Sequence, residues 1–395
     1  MSVVVSNGQE TLTLVLDEEQ QMLRSTVRQF VDQHAPVGRL RTLRDARDER
    51  GYSASVWSEM AELGWLGLQV PEAHDGLGLG FFDLTVVLEQ CGRKLMPEPL
   101  VSTLLLGAQA LMLGGTEAQQ AAWLPGIATG EKVVTLAFDE RGARGNPHAG
   151  KALAARSGAG FTLRGAKVGV LDAHVADLIL VSAQVGEGGP LGLFLVDPKA
   201  AGVTVTRHVA LDLRNAGTVT LADVAVGAEA LLGGDAALEV GDGGVALVDR
   251  VLDRARIGLA AEMLGGMEQA FEDTVAYLKE RVQFDRPLGS FQALQHRAAR
   301  LYCSIALARS AVLAAARVVD QSGDPREVAK YAALAKVRAS EAFYDVAREA
   351  IQMHGGIGMT DEHDIGFYLK RAQTTLVSFG TNDALRARWA ELNGY

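Results

Sequence analysis

The chain has 395 residues, of which 48% are hydrophobic and 22% are charged, a composition typical of a globular protein with two or three domains. Its net charge of −10 offers no positive field to a phosphate backbone, so nucleic acid is not expected as a partner. No run of about 18 apolar residues could span a bilayer, so an integral membrane protein is not expected either.

The opening residues show no basic start followed by an apolar stretch and a small-residue cleavage site. No signal peptide is therefore predicted, and a cytoplasmic location is expected. Cys91 and Cys303 are the two cysteines of the sequence, too few for a disulfide framework or a thiolate metal site. Both are predicted to be buried thiols.

Residues 1–132 carry helical signals. Asp17 is placed to cap a first helix, and Gln20 stands three residues later in the capping-box position. Apolar residues with helical spacing predict further helices at 55–63, 82–95 and 116–129. This segment is predicted to be an N-terminal helical domain.

Residues 133–235 differ in texture, because glycine becomes frequent and the apolar runs become short. The run 219–226 alternates apolar and polar residues with a period of two, as in a strand with one buried face. The segment is predicted to be a middle antiparallel β domain.

Helical periodicity returns in residues 236–395. Apolar residues recur every three or four positions from Ile257 to Leu278 and again from Phe291 to Val319, which predicts two long bundle helices. Asp324 followed by Pro325 predicts the N-cap and first residue of a third. The whole chain is therefore predicted to be an α+β multidomain protein that ends in a helical bundle.

The first stretch that could carry chemistry lies between the two long helices. Arg281 at a helix end could engage two phosphate oxygens, and Phe284 could press against a planar ring. The alternative is an ordinary helix C-terminus, where a basic residue interacts favourably with the helix dipole and Pro287 prevents the helix from continuing.

The second stretch follows the third long helix. Gly355, Gly356 and Gly358 would let a backbone approach a ligand and expose amides to phosphate or ribose oxygens. The alternative is an ordinary helix C-cap and turn, with Thr360 or Asp361 capping the next helix.

The run from Glu362 to Asp364 contains three potential metal ligands, but sequence neighbours do not share a helix face. We expect a solvated helix start there and predict no metal site. His354, beside the glycines, is predicted to be a structural hydrogen-bonding residue.

In combination, RVQFDRPLGSFQALQH, AREAIQMHGGIGMTDEHDIGFYLKRA and the earlier LGWLGLQVPEAHDGLGLG resemble the acyl-CoA dehydrogenases, in the right order over nearly the whole chain. The resemblance implies an N-terminal helical domain, a middle β domain and a C-terminal four-helix bundle. It also implies FAD between the β domain and the bundle, completed by a neighbouring subunit of a homo- or heterotetramer.

By their match to the family's motifs, nine residues are implied as cofactor-binding: Arg281, Gln283, Phe284, Gln292, Gln352, Gly355, Gly356, Thr381 and Asp383. The implied reaction removes the α hydrogen of an acyl-CoA thioester as a proton, taken by a carboxylate, and the β hydrogen as a hydride, taken by the flavin. An electron-transferring flavoprotein is the implied electron acceptor.

The sequence departs from the family pattern where the base is expected. Most members place a glutamate directly before the late glycine-threonine pair, where this chain has Phe379. A minority place it before an arginine early in the first long bundle helix, where this chain has Ala255. No catalytic residue is therefore assigned. The β domain also lacks the usual tryptophan and polar clamp in Thr135–Glu140 and Lys167–Leu171.

Three hypotheses follow. The chain is one subunit of a heteromeric dehydrogenase whose partner supplies the glutamate, or a self-sufficient flavoenzyme with an unusual reaction or a displaced base such as Asp383. The third is an inactive scaffold that keeps the fold. The acyl group is not predicted.

Overall fold

The structure is a computed structural model that describes residues 14–143, 146, 149–239 and 243–395. Its α-helices are α1 (Glu18–His34), α2 (Gly38–Asp45), α3 (Ala54–Glu62), α4 (Phe81–Arg93), α5 (Ala108–Gly114), α6 (Glu117–Ala128), α7 (Ala236–Glu239), α8 (Gly243–Glu280), α9 (Gln292–Gln321), α10 (Pro325–His354), α11 (Ile365–Val377) and α12 (Asn382–Leu392). A π-helix, Val101–Gly107, precedes α5.

The strands form one large sheet and one small hairpin. They are β1 (Val134–Ala137), β2 (Leu153–Ser157), β3 (Gly160–Leu171), β4 (Leu178–Val185), β5 (Leu191–Val196), β6 (Val203–Val209), β7 (Asn215–Gly227), and the two-residue strands β8 (Val282–Gln283) and β9 (Arg286–Pro287).

The chain divides into two compact units that are not consecutive in sequence. The helical unit comprises residues up to Thr42, Phe81–Met96 and Arg256–Tyr395. The sheet unit comprises Leu43–Gly80 and Pro97–Ala255. The predicted division into 1–132, 133–235 and 236–395 follows the order of the elements and stays a prediction.

In the helical unit, α4 lies directly against α8. A Cβ atom added to Gly92 would stand 2.0 Å from the carbonyl oxygen of Glu262, and one added to Gly265 would stand 1.7 Å from that of Glu89. Two backbones can approach this closely only where no side chain intervenes. The glycines therefore set the distance between these two helices.

Partly and fully buried ion pairs connect the same helices to the rest of the unit. Arg309 of α9 donates to both carboxylate oxygens of Glu89, at 3.1 and 3.2 Å, and also pairs with Glu268. Arg371 of α11 pairs with Glu262 at 2.5 Å. By length and composition alone α9 could cross a membrane. In the structure it packs along α10 as part of the bundle.

The sheet unit is built on seven strands in the order β1-β4-β2-β3-β7-β6, with β5 paired to β4. The pairings are mainly antiparallel, but β4 runs parallel to β1 and β2. The period of two predicts strands and their buried faces, and it carries no information on the direction of the neighbour. The α+β fold class is confirmed.

The structure tests several local predictions. Asp17 and Gln20 form the predicted capping box, and Asp324 caps α10 with Pro325 as its first residue. The prediction for Cys303 is wrong, because its side chain is exposed on α9. Thr360 and Asp361 do not cap the next helix, because the glycine turn continues as a 3₁₀-helix and α11 begins only at Ile365.

Candidate functional site

The end of α8, the hairpin after it and the first residue of α9 carry four of the residues implied as cofactor-binding. Arg281 closes the helix through its amide, which donates to the carbonyl oxygen of Tyr277 at 2.8 Å. The two-residue loop of the hairpin is Phe284–Asp285, and both residues have positive φ, +56° and +59°, as in a type I′ turn. After α8 the chain therefore forms a tight hairpin, which is more than the predicted helix end followed by Pro287.

All four of these side chains lie at the surface. Arg281, Gln283 and Gln292 are exposed, and Phe284 is 82% exposed. The ring of Phe284 meets that of Phe291 edge-on, with centroids 6.1 Å apart. A bulky residue at positive φ is strained, and here it presents an aromatic ring to solvent.

The glycine turn lies at the end of α10. Gly355 has φ +66° and ψ −140°, a conformation open to glycine. A Cβ atom built on Gly355 or Gly356 meets no heavy atom within 4 Å, and Gln352 is exposed on the last turn of the helix. The turn is thus an open surface of backbone.

The two helix ends lie side by side. The ring of Tyr277, one turn before Arg281, stacks on the ring of His354, the residue before Gly355, with centroids 4.5 Å apart. The structure therefore brings together the arginine and the glycines that are 74 positions or more apart in sequence.

The turn between α11 and α12 is held by hydrogen bonds from two buried basic side chains. Lys336 of α10 donates from Nζ to the carbonyl oxygens of Leu376 and Gly380, each at 2.8 Å. Arg256 donates from Nε to the carbonyl oxygen of Phe379 at 2.8 Å. Phe379 is buried and has φ +56°, so the turn is fixed by two buried cations.

The last two residues implied as cofactor-binding follow that turn. Thr381 caps α12, because its hydroxyl accepts from the amide of Ala384 at 3.3 Å. The side chain of Asp383 is 96% exposed and pairs with Arg386 at 3.2 Å. A carboxylate in this environment lacks the dry surroundings that a base for an α proton needs.

In the sheet unit, the segments of the expected flavin clamp are engaged internally. Thr135 donates its hydroxyl hydrogen to the carbonyl oxygen of Leu171 at 2.8 Å. Lys167, fully buried, donates to Glu140 at 2.6 Å and to Ser182 at 2.9 Å. Burial opposes ionisation of Glu140, but Lys167 and two backbone amides outweigh it and lower the pKa of this carboxyl. Gly169 adds no side chain to the surface.

Sequence reasoning missed three features of these sites. The type I′ hairpin was missed because its loop is Phe-Asp and not the Asn-Gly that marks such turns. Lys336 gave no signal, since lysine usually lies at the surface. The stack of Tyr277 on His354 joins distant positions that no local spacing connects.

Residues 17–131 match the family model of the acyl-CoA dehydrogenase N-terminal domain. Residues 242–392 match the family model of the acyl-CoA dehydrogenase C-terminal domain. The chain belongs to the acyl-CoA dehydrogenase family. Members are FAD flavoprotein oxidoreductases of lipid metabolism, and they form oligomers. The resemblance predicted from the sequence is confirmed.

Individual relatives cover nearly all of the chain. An acyl-CoA dehydrogenase of Mycolicibacterium smegmatis, IpdE2, is 34% identical over 379 residues, which is 95% of this chain and 100% of that protein. A variant of the Tcur3481-Tcur3483 steroid ACAD matches at 35% identity with a TM-score of 0.84, covering 95% and 98%. A chain of the ChsE4-ChsE5 complex of Mycobacterium tuberculosis matches at 29% identity with a TM-score of 0.85, covering 97% and 99%.

Proposed function

We propose that this acyl-CoA dehydrogenase chain is one subunit of a heteromeric enzyme that uses FAD for α,β-dehydrogenation of an acyl-CoA thioester. A paralogous partner subunit supplies the catalytic glutamate. The observation that carries the proposal is a contrast within the chain. The helix ends around Arg281 and Gly355 are open and polar, whereas the residues expected to clamp the flavin ring and take the proton are absent or engaged internally.

The helix ends fit the phosphate end of a dinucleotide. The exposed guanidinium of Arg281 can donate to two phosphate oxygens at once. The open backbone at Gly355 and Gly356 lets a ligand approach the amides, which a side chain would prevent. Phe284 offers an exposed ring that can cover a planar group.

The sheet unit does not fit the isoalloxazine ring in the same way. Thr135 donates its hydroxyl hydrogen to the backbone of Leu171, and Lys167 is hydrogen-bonded to Glu140. Gly169 has no side chain that could stack on the flavin ring. These features support a site in which this chain completes a flavin held mainly by the partner.

Bound FAD would supply the acceptor for the hydride that leaves the β carbon of the thioester. The α proton needs a carboxylate, and Phe379 and Ala255 cannot accept one. Asp383 faces solvent beside Arg386, which disfavours the displaced base. The proton is therefore assigned to a carboxylate of the partner subunit, and the electrons leave to an electron-transferring flavoprotein.

The assembly surface is assigned to the outer face of α9. Tyr302 and Leu307 are more than half exposed there, and Cys303 and Ala306 lie between them on the same face. An exposed apolar helix face of this kind is typical of a subunit interface. The occupant proposed is a paralogous acyl-CoA dehydrogenase subunit, as the two-chain names of the ChsE4-ChsE5 and Tcur3481-Tcur3483 relatives suggest.

The test is co-expression of this chain with a paralogous chain that carries the family glutamate. The complex should be yellow and be bleached by one class within a panel of straight-chain, branched and steroid-side-chain acyl-CoA thioesters. Replacing the partner's glutamate by glutamine should abolish bleaching, whereas the Asp383→Ala complex, once saturated with FAD, should still be bleached, because Asp383 is implied to contact the cofactor and not to take the proton. Bleaching by this chain alone, lost in Asp383→Ala, would instead establish the displaced base. A colourless complex would favour the scaffold.

A charge-matched pair tests the contact itself. Arg281→Gln should weaken FAD binding by the complex about tenfold or more, because a charge-assisted pair is lost. Lys279→Gln removes the same charge two residues earlier, from an exposed side chain with no cofactor role, and should leave FAD binding unchanged.

A further inference from the structure

A stack of three rings lies at the base of the glycine turn. The ring of His354 lies against that of Tyr277, with centroids 4.5 Å apart and planes at 26°. It also meets the ring of His363, at 4.6 Å and 56°. The three residues belong to the ends of α8 and α10 and to the loop before α11, so the stack joins the elements that carry the candidate site.

Hydrogen bonds to the backbone fix the orientation of both imidazoles. Nδ1 of His354 lies 2.7 Å from the carbonyl oxygen of Ala350, so this nitrogen carries the hydrogen and donates it. Nδ1 of His363 accepts from the amide of Ile365 at 3.1 Å. His354 is only 3% exposed, which leaves its ring no freedom to rotate away.

The glycine turn folds over this histidine. Gly355 follows it directly at φ +66°, and a Cβ atom added to Gly358 would stand 2.9 Å from the Cβ of His354. On the other side of the stack, the carbonyl oxygen of Tyr277 accepts a hydrogen bond from the amide of Arg281. Gly355 is thus bonded covalently to His354, and Arg281 is hydrogen-bonded to the backbone of Tyr277. Each half of the candidate site is directly connected to a residue of the stack.

We propose that His354 is a positioning residue for the flavin dinucleotide, which holds the Gly355–Gly356 turn at a fixed separation from Arg281 so that one cofactor can reach both. The inference rests on the proposed function, since it assumes that FAD lies on this surface. His354 acts through the turn and through Tyr277, and its own ring lies beneath the surface that the cofactor would cover.

The protonation of His354 provides a readout that a packing role alone would not move. Burial and the neighbouring His363 lower the pKa of His354, while its bond to Ala350 and the charge of Asp273 oppose the shift. The ring is therefore neutral at neutral pH. Acid would place a buried cation between Tyr277 and His363 and disturb the stack.

The experiment measures the rate at which FAD leaves the assembled complex, followed by flavin fluorescence at neutral pH and at a series of lower pH values. Release from the wild type should accelerate in acid. His354→Ala should release FAD at least tenfold faster than the wild type. His354→Phe keeps a ring and should restore wild-type release at neutral pH while abolishing the acceleration in acid. Tyr277→Leu should mimic His354→Ala, whereas Tyr277→Phe should behave as the wild type.

Equal release rates for the wild type, His354→Ala and Tyr277→Leu would overturn this inference alone. So would His354→Phe releasing FAD as fast as His354→Ala. If His354→Ala does not assemble, the two Tyr277 variants decide the matter. A wild-type complex without flavin would instead overturn the proposed function.

Discussion

Lys336 donates a hydrogen bond to the carbonyl oxygen of Gly380 at 2.8 Å from a fully buried position on α10. The same ammonium donates to Leu376 at 2.8 Å and to the side-chain oxygen of Asn382 at 3.1 Å. Its three hydrogens thus go to three oxygens of the turn between α11 and α12. Together with Arg256, which donates to Phe379, this lysine holds the segment in which most of the family carries its base.

Lys336→Met should destabilise the protein by about 2–4 kcal/mol, because the carbonyl oxygens of Leu376 and Gly380 lose this donor, whereas the side-chain oxygen of Asn382 keeps a bond from Ser340. The free energy of unfolding in urea measures the change. Lys279→Met, at an exposed position of α8, should stay within about 0.5 kcal/mol. A loss of equal size in both variants would contradict the assignment of Lys336 to the turn.

The stability of the wild type should also depend on pH through this lysine. Burial and the charge of Arg256 lower the pKa of Lys336 from 10.5 to about 7 in the folded protein. Between these values the unfolded chain binds more protons than the folded one, so the free energy of unfolding rises with pH.

Relative to Lys336→Met, the wild type should therefore gain stability from about pH 7 to pH 9, by at most about 1.4 kcal/mol per pH unit. Below about pH 7 the difference should be constant, since both states are then protonated. Unfolding titrations at a series of pH values provide the measurement. Parallel curves for the two proteins above neutral pH would show that the lysine stays charged.

The close contact of α4 with α8 predicts opposite outcomes for two glycines. Gly265→Ala should cost about 2–3 kcal/mol or more, because its Cβ would fall 1.7 Å from the carbonyl oxygen of Glu89 and force the helices apart. Gly366→Ala, also in a helix but in open space, should be neutral or stabilising by up to about 1 kcal/mol. Thermal unfolding of the two variants tests the pair.

Substitutions at Phe284 can separate the conformational strain of its positive φ from the contribution of its ring to FAD binding. Phe284→Asn and Phe284→Ala both remove the ring, but asparagine tolerates positive φ better than alanine. The Asn variant should be more stable than the Ala variant by about 0.5–1 kcal/mol. Both should weaken FAD binding by the complex to the same extent. Wild-type FAD binding in either variant would remove Phe284 from the site.

The sequence predicted the parts of the fold that local rules determine. The capping residues Asp17 and Asp324 are recognisable because side chain and backbone amide lie within one helical turn. The long stripes of α8 and α9 are visible because one face of each helix is buried. The parallel pairings of β4 could not be predicted, since the alternation of side chains is the same for both strand directions.

The candidate site could be predicted only in pieces. Arg281 and the glycines were found through family motifs, and their proximity depends on the contact between Tyr277 and His354, which are 77 positions apart. Lys336 could not be found, because nothing near it in sequence shows that its partners lie 40 or more positions later.

The flavin content of the assembled particle tests the central claim most directly. Native mass spectrometry of this chain alone and of its complex with a glutamate-bearing paralogue counts subunits and bound FAD in one measurement. The account predicts no retained FAD in the isolated chain, and a mixed complex that holds fewer flavins than subunits. A homomer of this chain that holds one FAD in every subunit would contradict it.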